Sequence, residues 1–202
     1  MQTLKLNGIR MWQSYERALH RRPVPTQMAT SAVLWGAGDV LAQRVAEGKA
    51  SKDIDKRRVG LTSVFGLSFM GPVGHYWYLG LDAMAHKYFA AGSSRLIATK
   101  VIVDSLILGP LYVIAFYAFG SAVIDRSGWQ GFKHKIDKDF ISTYLAELVI
   151  WPAFQTFNFV KVPVQHQLLA VNFMTLVDAS FLSWARNQEN WVSTVTKALS
   201  PK

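Results

Sequence analysis

The stretch Glu147-Leu148-Val149-Ile150-Trp151-Pro152-Ala153-Phe154-Gln155-Thr156-Phe157-Asn158-Phe159-Val160-Lys161-Val162-Pro163 decides how this chain is read. Wound as a helix, it places Glu147, Trp151, Gln155 and Asn158 at steps of four, four and three, so one narrow face carries a carboxyl, an indole and two amides. Leu148, Val149, Ile150, Phe154, Phe157, Phe159 and Val160 occupy the remaining faces. A helix on the surface of a water-soluble protein shows the reverse, a single apolar face against a polar remainder. The pattern predicts a helix in greasy surroundings whose polar groups turn toward the protein.

Composition points the same way. Charged residues make up 17% of the 202, against about 25% in a soluble domain, while hydrophobic residues reach 50% with seven Trp, seven Tyr and twelve Phe. The formal net charge of +9 sits in short Lys/Arg clusters between apolar runs rather than along one helix face. This argues for anionic lipid headgroups as a partner and against nucleic acid. With no Cys, disulfides and thiolate chemistry are excluded.

Working outward, residues 1–25 form an Arg-rich, acid-poor amphipathic segment with Arg10, Arg17, Arg21 and Arg22, read as a helix lying at the interface or as a targeting-like segment. A helix is expected from Thr26 to about Ala46, with Ala32, Gly36, Asp39 and Gln43 on one face and small residues beside it for close packing. Arg57 and Arg58 close the following polar loop as interfacial basic residues. The charge-free run from Val59 to Leu81 is long enough, at about 1.5 Å per residue, for a hydrocarbon core of roughly 30 Å. It contains His75, a candidate for the polar path or interface, and an expected kink at Pro72. A second run, Ser105 to Ile124, follows Asp104 and carries an expected kink at Pro110; Lys100, one turn before Asp104, is read as interfacial and as its local partner. Residues 125–139 read as a loop, the opening helix carries an expected kink at Pro152, and Val164 to Ala185 forms a last apolar segment containing Asp178. The fold expected is an all-α integral membrane bundle of four or five transmembrane helices: segment 1–25, one transmembrane domain over 26–187, and a polar tail, 188–202.

Asp39, Asp104, Glu147 and Asp178 all lie in or beside apolar segments, where a charged acid costs about 2.5 to 3.5 kcal/mol to insert. Such acids face water or a polar partner. Two readings stand: Asp39 with Gln43, and Glu147 with Gln155 and Asn158, line a hydrophilic path, or these groups fix helix packing by hydrogen bonds. The histidines show no metal-ligand spacing, and no nucleophile elbow or phosphate-cradling glycine loop occurs. Neither an enzyme nor a cofactor is expected.

Trp35-Gly36-Ala37-Gly38-Asp39-Val40-Leu41-Ala42-Gln43 precedes Asp55 with Arg58, Gly71-Pro72 with His75 and Trp77-Tyr78, and Lys100 with Asp104 and Pro110. Trp151-Pro152, Gln155, Asn158-Phe159 and Val162-Pro163 complete an ordered set. In these motifs, over about residues 10 to 187, the chain resembles the Mpv-seventeen and peroxisomal membrane protein family, which includes the yeast Sym-one protein. The resemblance implies a four-helix protein of the mitochondrial inner membrane, or alternatively the peroxisomal membrane. It also implies channel-like permeability to ions or small metabolites; a non-conducting scaffold or partner-binding role is the alternative read from the residues, and a homo-oligomer is expected as a further partner. Asp104-Ser105 stands where the family usually has Asp-Gln, Gln167 where it has Arg, and Asp178-Ala179 where Trp-Asn is common. These departures mark a divergent member.

Overall fold

The computed structural model describes residues 2–187, in which the backbone is helical almost throughout and no strand occurs among the described residues. Helix α1 (Gln2–Arg21) is followed by α2 (Pro23–Leu41), whose prolines fall in its first turn, where a missing N–H leaves no helical bond unmade. After a loop come α3 (Lys56–Phe65) and α4 (Gly71–Tyr88), then α5 (Ser94–Val103) and α6 (Gly109–Phe119). Helices α7 (Gly128–Lys161) and α8 (Val164–Asn187) complete the order. The polar tail expected over 188–202 lies outside the described residues.

Five-residue π-helical turns join several of these helices into longer rods: Gly66–Met70 links α3 to α4 and Asp104–Leu108 links α5 to α6. Both turns directly precede a Gly-Pro pair. Pro72 and Pro110 cannot donate to the carbonyl four residues back and would clash with it, and a locally widened helix relieves that clash. Pro152 has no such turn, and α7 runs through it.

Contacts fix the directions of the rods. Gly71 and Gly66 of the second rod face Met28 and Ser31 of α2, so these two are antiparallel. Their approach is close: a Cβ on Gly66 would fall 2.6 Å from the Ser31 carbonyl oxygen, and one on Gly71 2.5 Å from Met28 Cα. Gln27 and Ser31 meet Gln165 and Asn172 in that order, so α2 and α8 run parallel. Tyr117 bonds Thr143 and Asp104 accepts from Gln155, which sets α7 antiparallel to the third rod. The result is an up-and-down bundle with α1 packed at the end where α2 and α8 begin.

The region expected as a loop over 125–139 is largely helix. Ser127-Gly128 are its start rather than its interior; Gly128 takes φ +62, and α7 begins there. Phe132, Ile136 and Phe140 repeat every four residues and pack on the aromatic core around Trp35, Phe65 and Phe116. That apolar period outweighs the turn-forming residues.

The polarity of the bundle is inverted. Among the described residues, eighteen buried side chains are polar or charged and eighteen apolar, while twenty-five large apolar side chains are exposed. Val33, Leu106, Ile141, Leu145, Val149, Phe157 and Val177 all point outward. Water would penalise such a surface and hydrocarbon would not. By length and apolarity taken alone, one helix, Ser94–Ile124, qualifies as a membrane span among the described residues. The others carry buried polar groups that lower their hydropathy.

Candidate functional site

The polar face of α7 is longer than its sequence suggests. Asp139, Thr143, Glu147, Gln155 and Asn158 are all buried on it. From Asp139 to Asn158 is about 28 Å at the helical rise, close to the thickness of a hydrocarbon core. The other helices of the bundle contribute the groups that meet this stripe.

At its centre, Gln155 Nε2 donates to Asp104 Oδ2 at 2.7 Å and to the Tyr78 hydroxyl at 2.9 Å, while its Oε1 accepts from Asn158 Nδ2 at 2.9 Å. Trp77 Nε1 donates to Asp104 Oδ1 at 2.7 Å. Asp104 therefore has both carboxyl oxygens engaged, on α4 and α7, and its expected local partner lies elsewhere: Lys100 Nζ bonds Asp82 Oδ1 at 2.7 Å. Lys100 is 1% exposed, with its ammonium 4.5 Å from the Phe159 ring centroid, so the interfacial role expected for it is corrected to an ion pair with the half-buried Asp82 and a cation–π contact.

Two turns earlier along α7, Tyr112 donates to Asp178 Oδ2 at 2.9 Å, and Glu147 faces Asp178 with the Trp151 indole beside both. A cavity of about 50 Å³ lies here, lined by Tyr78, Asp104, Tyr112, Glu147, Trp151 and Gln155. Glu147 Oε1 and Ser105 Oγ border it, and both are buried without a hydrogen-bond partner. An unpaired buried oxygen costs about 1–3 kcal/mol. Two in one cavity mark a place suited to a small hydrogen-bonding guest.

Asp39 and Gln43, expected to form a wall of the same path, stand elsewhere. At the end of α2, Asp39 takes Arg58 Nε at 2.9 Å and Gln43 Nε2 at 2.9 Å. Arg58 also reaches Glu47 at 2.7 Å, and Gln43 brackets the Asp55 backbone, accepting from its N–H at 2.7 Å and donating to its carbonyl at 3.2 Å. Asp55 caps α3 through the Arg58 N–H. Arg58, read as interfacial, is 6% exposed. Its planar fork suits two carboxylates at once, which turns a loop-end arginine into the centre of a clamp. Burial pushes the Glu47 carboxyl up, but bonds and charge from Arg58 and Lys49 outweigh this and hold it below the usual carboxylate range. Arg57 donates to the carbonyls of Ile124 and Val123, closing the C-terminal end of the third rod.

His75 Nδ1 lies 2.7 Å from Gln27 Oε1, away from the central cavity. Gln167, at a departure from the family pattern, donates to Val162 O at 3.1 Å and so ties down the turn between α7 and α8. Tyr78, Trp77, Tyr112, Thr143 and Asp139 belong to the polar interior, and Asp82 pairs with Lys100 at its edge, although sequence reasoning does not place them there. Asp139 and Thr143 continue the four-residue period of Glu147, a signal obscured by the loop reading.

An apolar exterior, a hydrogen-bonded polar interior and a stripe of bilayer length define an integral membrane protein of the helical-bundle class. Residues 122–183 match the Mpv17 / PMP22 family. The chain is 32% identical over 179 residues to the mitochondrial inner membrane protein Mpv17 of Xenopus laevis, covering 88% of this chain and 98% of the relative. It is 30% identical over 179 residues to protein SYM1 of Saccharomyces cerevisiae, covering 86% and 89% respectively. With the PXMP2/4 family protein 4 of Dictyostelium discoideum it shares 30% over 183 residues, covering 88% and 95%. The chain belongs to the Mpv17 / PMP22 family and is a membrane protein whose relatives are proteins of the mitochondrial inner membrane. No solved structure matches it.

Proposed function

We propose that this protein is an organellar channel or pore-like protein for ions or small polar metabolites, with its path along the polar face of α7. The observation that carries this reading is the central cavity, where Glu147 Oε1 and Ser105 Oγ are unpaired beside Asp104. Polar groups inside a membrane bundle face one another or a water-filled path, and here part of the set lacks a protein partner. A volume of about 50 Å³ holds one or two waters, so this conformation is closed and conduction requires side-chain movement. Five long helical stretches, over 23–46, 56–88, 94–124, 128–161 and 164–187, serve as the spans in this reading, with the exposed Arg10, Arg17 and Arg21 of α1 toward anionic headgroups. No catalytic step is assigned to the site.

A second reading is favoured by one observation. Gln155 uses both its amide nitrogen and its oxygen within the protein, as a group that fixes packing would. On that reading the protein is a non-conducting scaffold or partner-binding protein. Purified protein in planar bilayers separates the two: discrete, voltage-dependent conductance is expected, and folded protein giving no events across a range of voltages and solutes would leave only the scaffold.

A further inference from the structure

A second cavity, of about 280 Å³, lies at the α1 end of the bundle, bounded by Leu19 and His20 of α1, Gln27 of α2, His75 of α4 and Gln165 of α8. One residue lines both this vestibule and the central cavity, and that residue is Tyr78. We propose that Tyr78 is the constriction of the path, the side chain whose swing joins a vestibule beneath α1 to the acid-lined chamber; the proposal rests on the pore reading above.

Three features hold the ring in place and leave it free to move. First, it is 2% exposed and packs 6.2 Å from the Phe159 ring, so it fills the gap between the two spaces. Second, the backbone behind it is pinned: Gly74, one turn earlier, presses on Leu168, and a Cβ there would fall 2.5 Å from Leu168 Cδ1. Third, the phenol oxygen is held from the chamber side by a single bond, one N–H of Gln155 Nε2 donating to Tyr78 at 2.9 Å while the other serves Asp104 at 2.7 Å. Releasing the hydroxyl costs one hydrogen bond and leaves the other Gln155 N–H on Asp104.

The sequence contains no cysteine, so single cysteines can report the barrier directly. Val164 lines the vestibule alone and Ser105 the chamber alone. In reconstituted vesicles, Val164→Cys is expected to react with a membrane-impermeant methanethiosulfonate at least about ten-fold faster than Ser105→Cys, because the latter waits on local opening. Adding Tyr78→Ala should bring the Ser105→Cys rate up to that of Val164→Cys, whereas Tyr78→Phe, which keeps the ring, should leave it slow. Equal rates at the two positions with Tyr78 intact overturn the proposal even if the alanine variant does not fold. So does a folded Tyr78→Ala chain with an unchanged Ser105→Cys rate. Modification needs no current: a folded Tyr78→Ala chain that labels fast yet conducts nothing supports the constriction and overturns the pore reading.

Discussion

Two polar clusters sit inside the same apolar bundle and are built on opposite principles. The clamp at the end of α2 sets Arg58 between Asp39 and Glu47, with Lys49 2.9 Å from Glu47 and both Gln43 amide groups spent on the Asp55 backbone, so charges and hydrogen bonds balance within it. The central site gathers Asp104, Glu147 and Asp178 around a cavity, has no Arg or Lys hydrogen-bonded to them among the described residues, and leaves Glu147 Oε1 unpaired. A saturated cluster holds a fold together. An acid-rich, incompletely paired one lowers stability unless something else has use for it; the contrast suits packing for the first and, on the proposed reading, transport for the second.

The largest expected effect follows from breaking the clamp. Removing one partner of a buried ion pair leaves an uncompensated charge, and Arg58→Ala should cost about 3–5 kcal/mol. Thermal unfolding in detergent should show a larger loss for it than for any substitution at the central site, and a change within error would mean that the clamp does not hold the fold. Next comes helix approach. Gly71→Val would drive side-chain atoms into the Met28 backbone and should cost about 1–3 kcal/mol or more by overpacking. Gly80, which has open space around it, is the control.

Part of this contrast is legible in the sequence and part is not. The period of Glu147, Gln155 and Asn158 defines a buried face because spacing along one helix determines which side chains align. Asp39 and Gln43 are recognisable as a polar face for the same reason, but their partner Arg58 lies across a loop, and only folding shows that its guanidinium turns inward. Lys100 misleads similarly: Asp104 is one turn away in sequence, yet Asp82 on the neighbouring rod presents a carboxylate at 2.7 Å. The aromatic hydroxyls of Tyr78 and Tyr112 are indistinguishable from core residues until the groups that face them are known. Residues 125–139 read as a loop because Ser127, Gly128 and Gly131 signal a turn, whereas tertiary packing of Phe132, Ile136 and Phe140 makes a helix.

Acid should loosen the clamp. Because the folded Glu47 pKa is depressed, its contribution is present at pH above the ordinary carboxylate value, about 4.3, and disappears as pH falls through the lower folded value. Wild-type protein should therefore unfold at higher temperature than Glu47→Gln at neutral pH, with the two melting curves converging under acid. A gap that stays constant with pH would mean that Glu47 acts through shape rather than charge.

The smallest effect on stability, and the sharpest test of the contrast, is expected at Glu147. Replacing its carboxyl by an amide keeps the volume and supplies a donor beside Asp178, so Glu147→Gln should change stability by less than about 1 kcal/mol, in either direction. Its effect should appear in permeation instead: removing a carboxyl from the chamber wall should shift the reversal potential measured under a salt gradient. Asp39→Asn should do the opposite, lowering the melting temperature while leaving the reversal potential of the surviving folded protein unchanged. If both substitutions shift melting alone, the central acids are packing elements like those of the clamp, and the unpaired oxygen of Glu147 is a tolerated cost of helix register. If they separate as stated, the difference between a saturated and an unsaturated polar cluster is what distinguishes scaffold from path in this bundle.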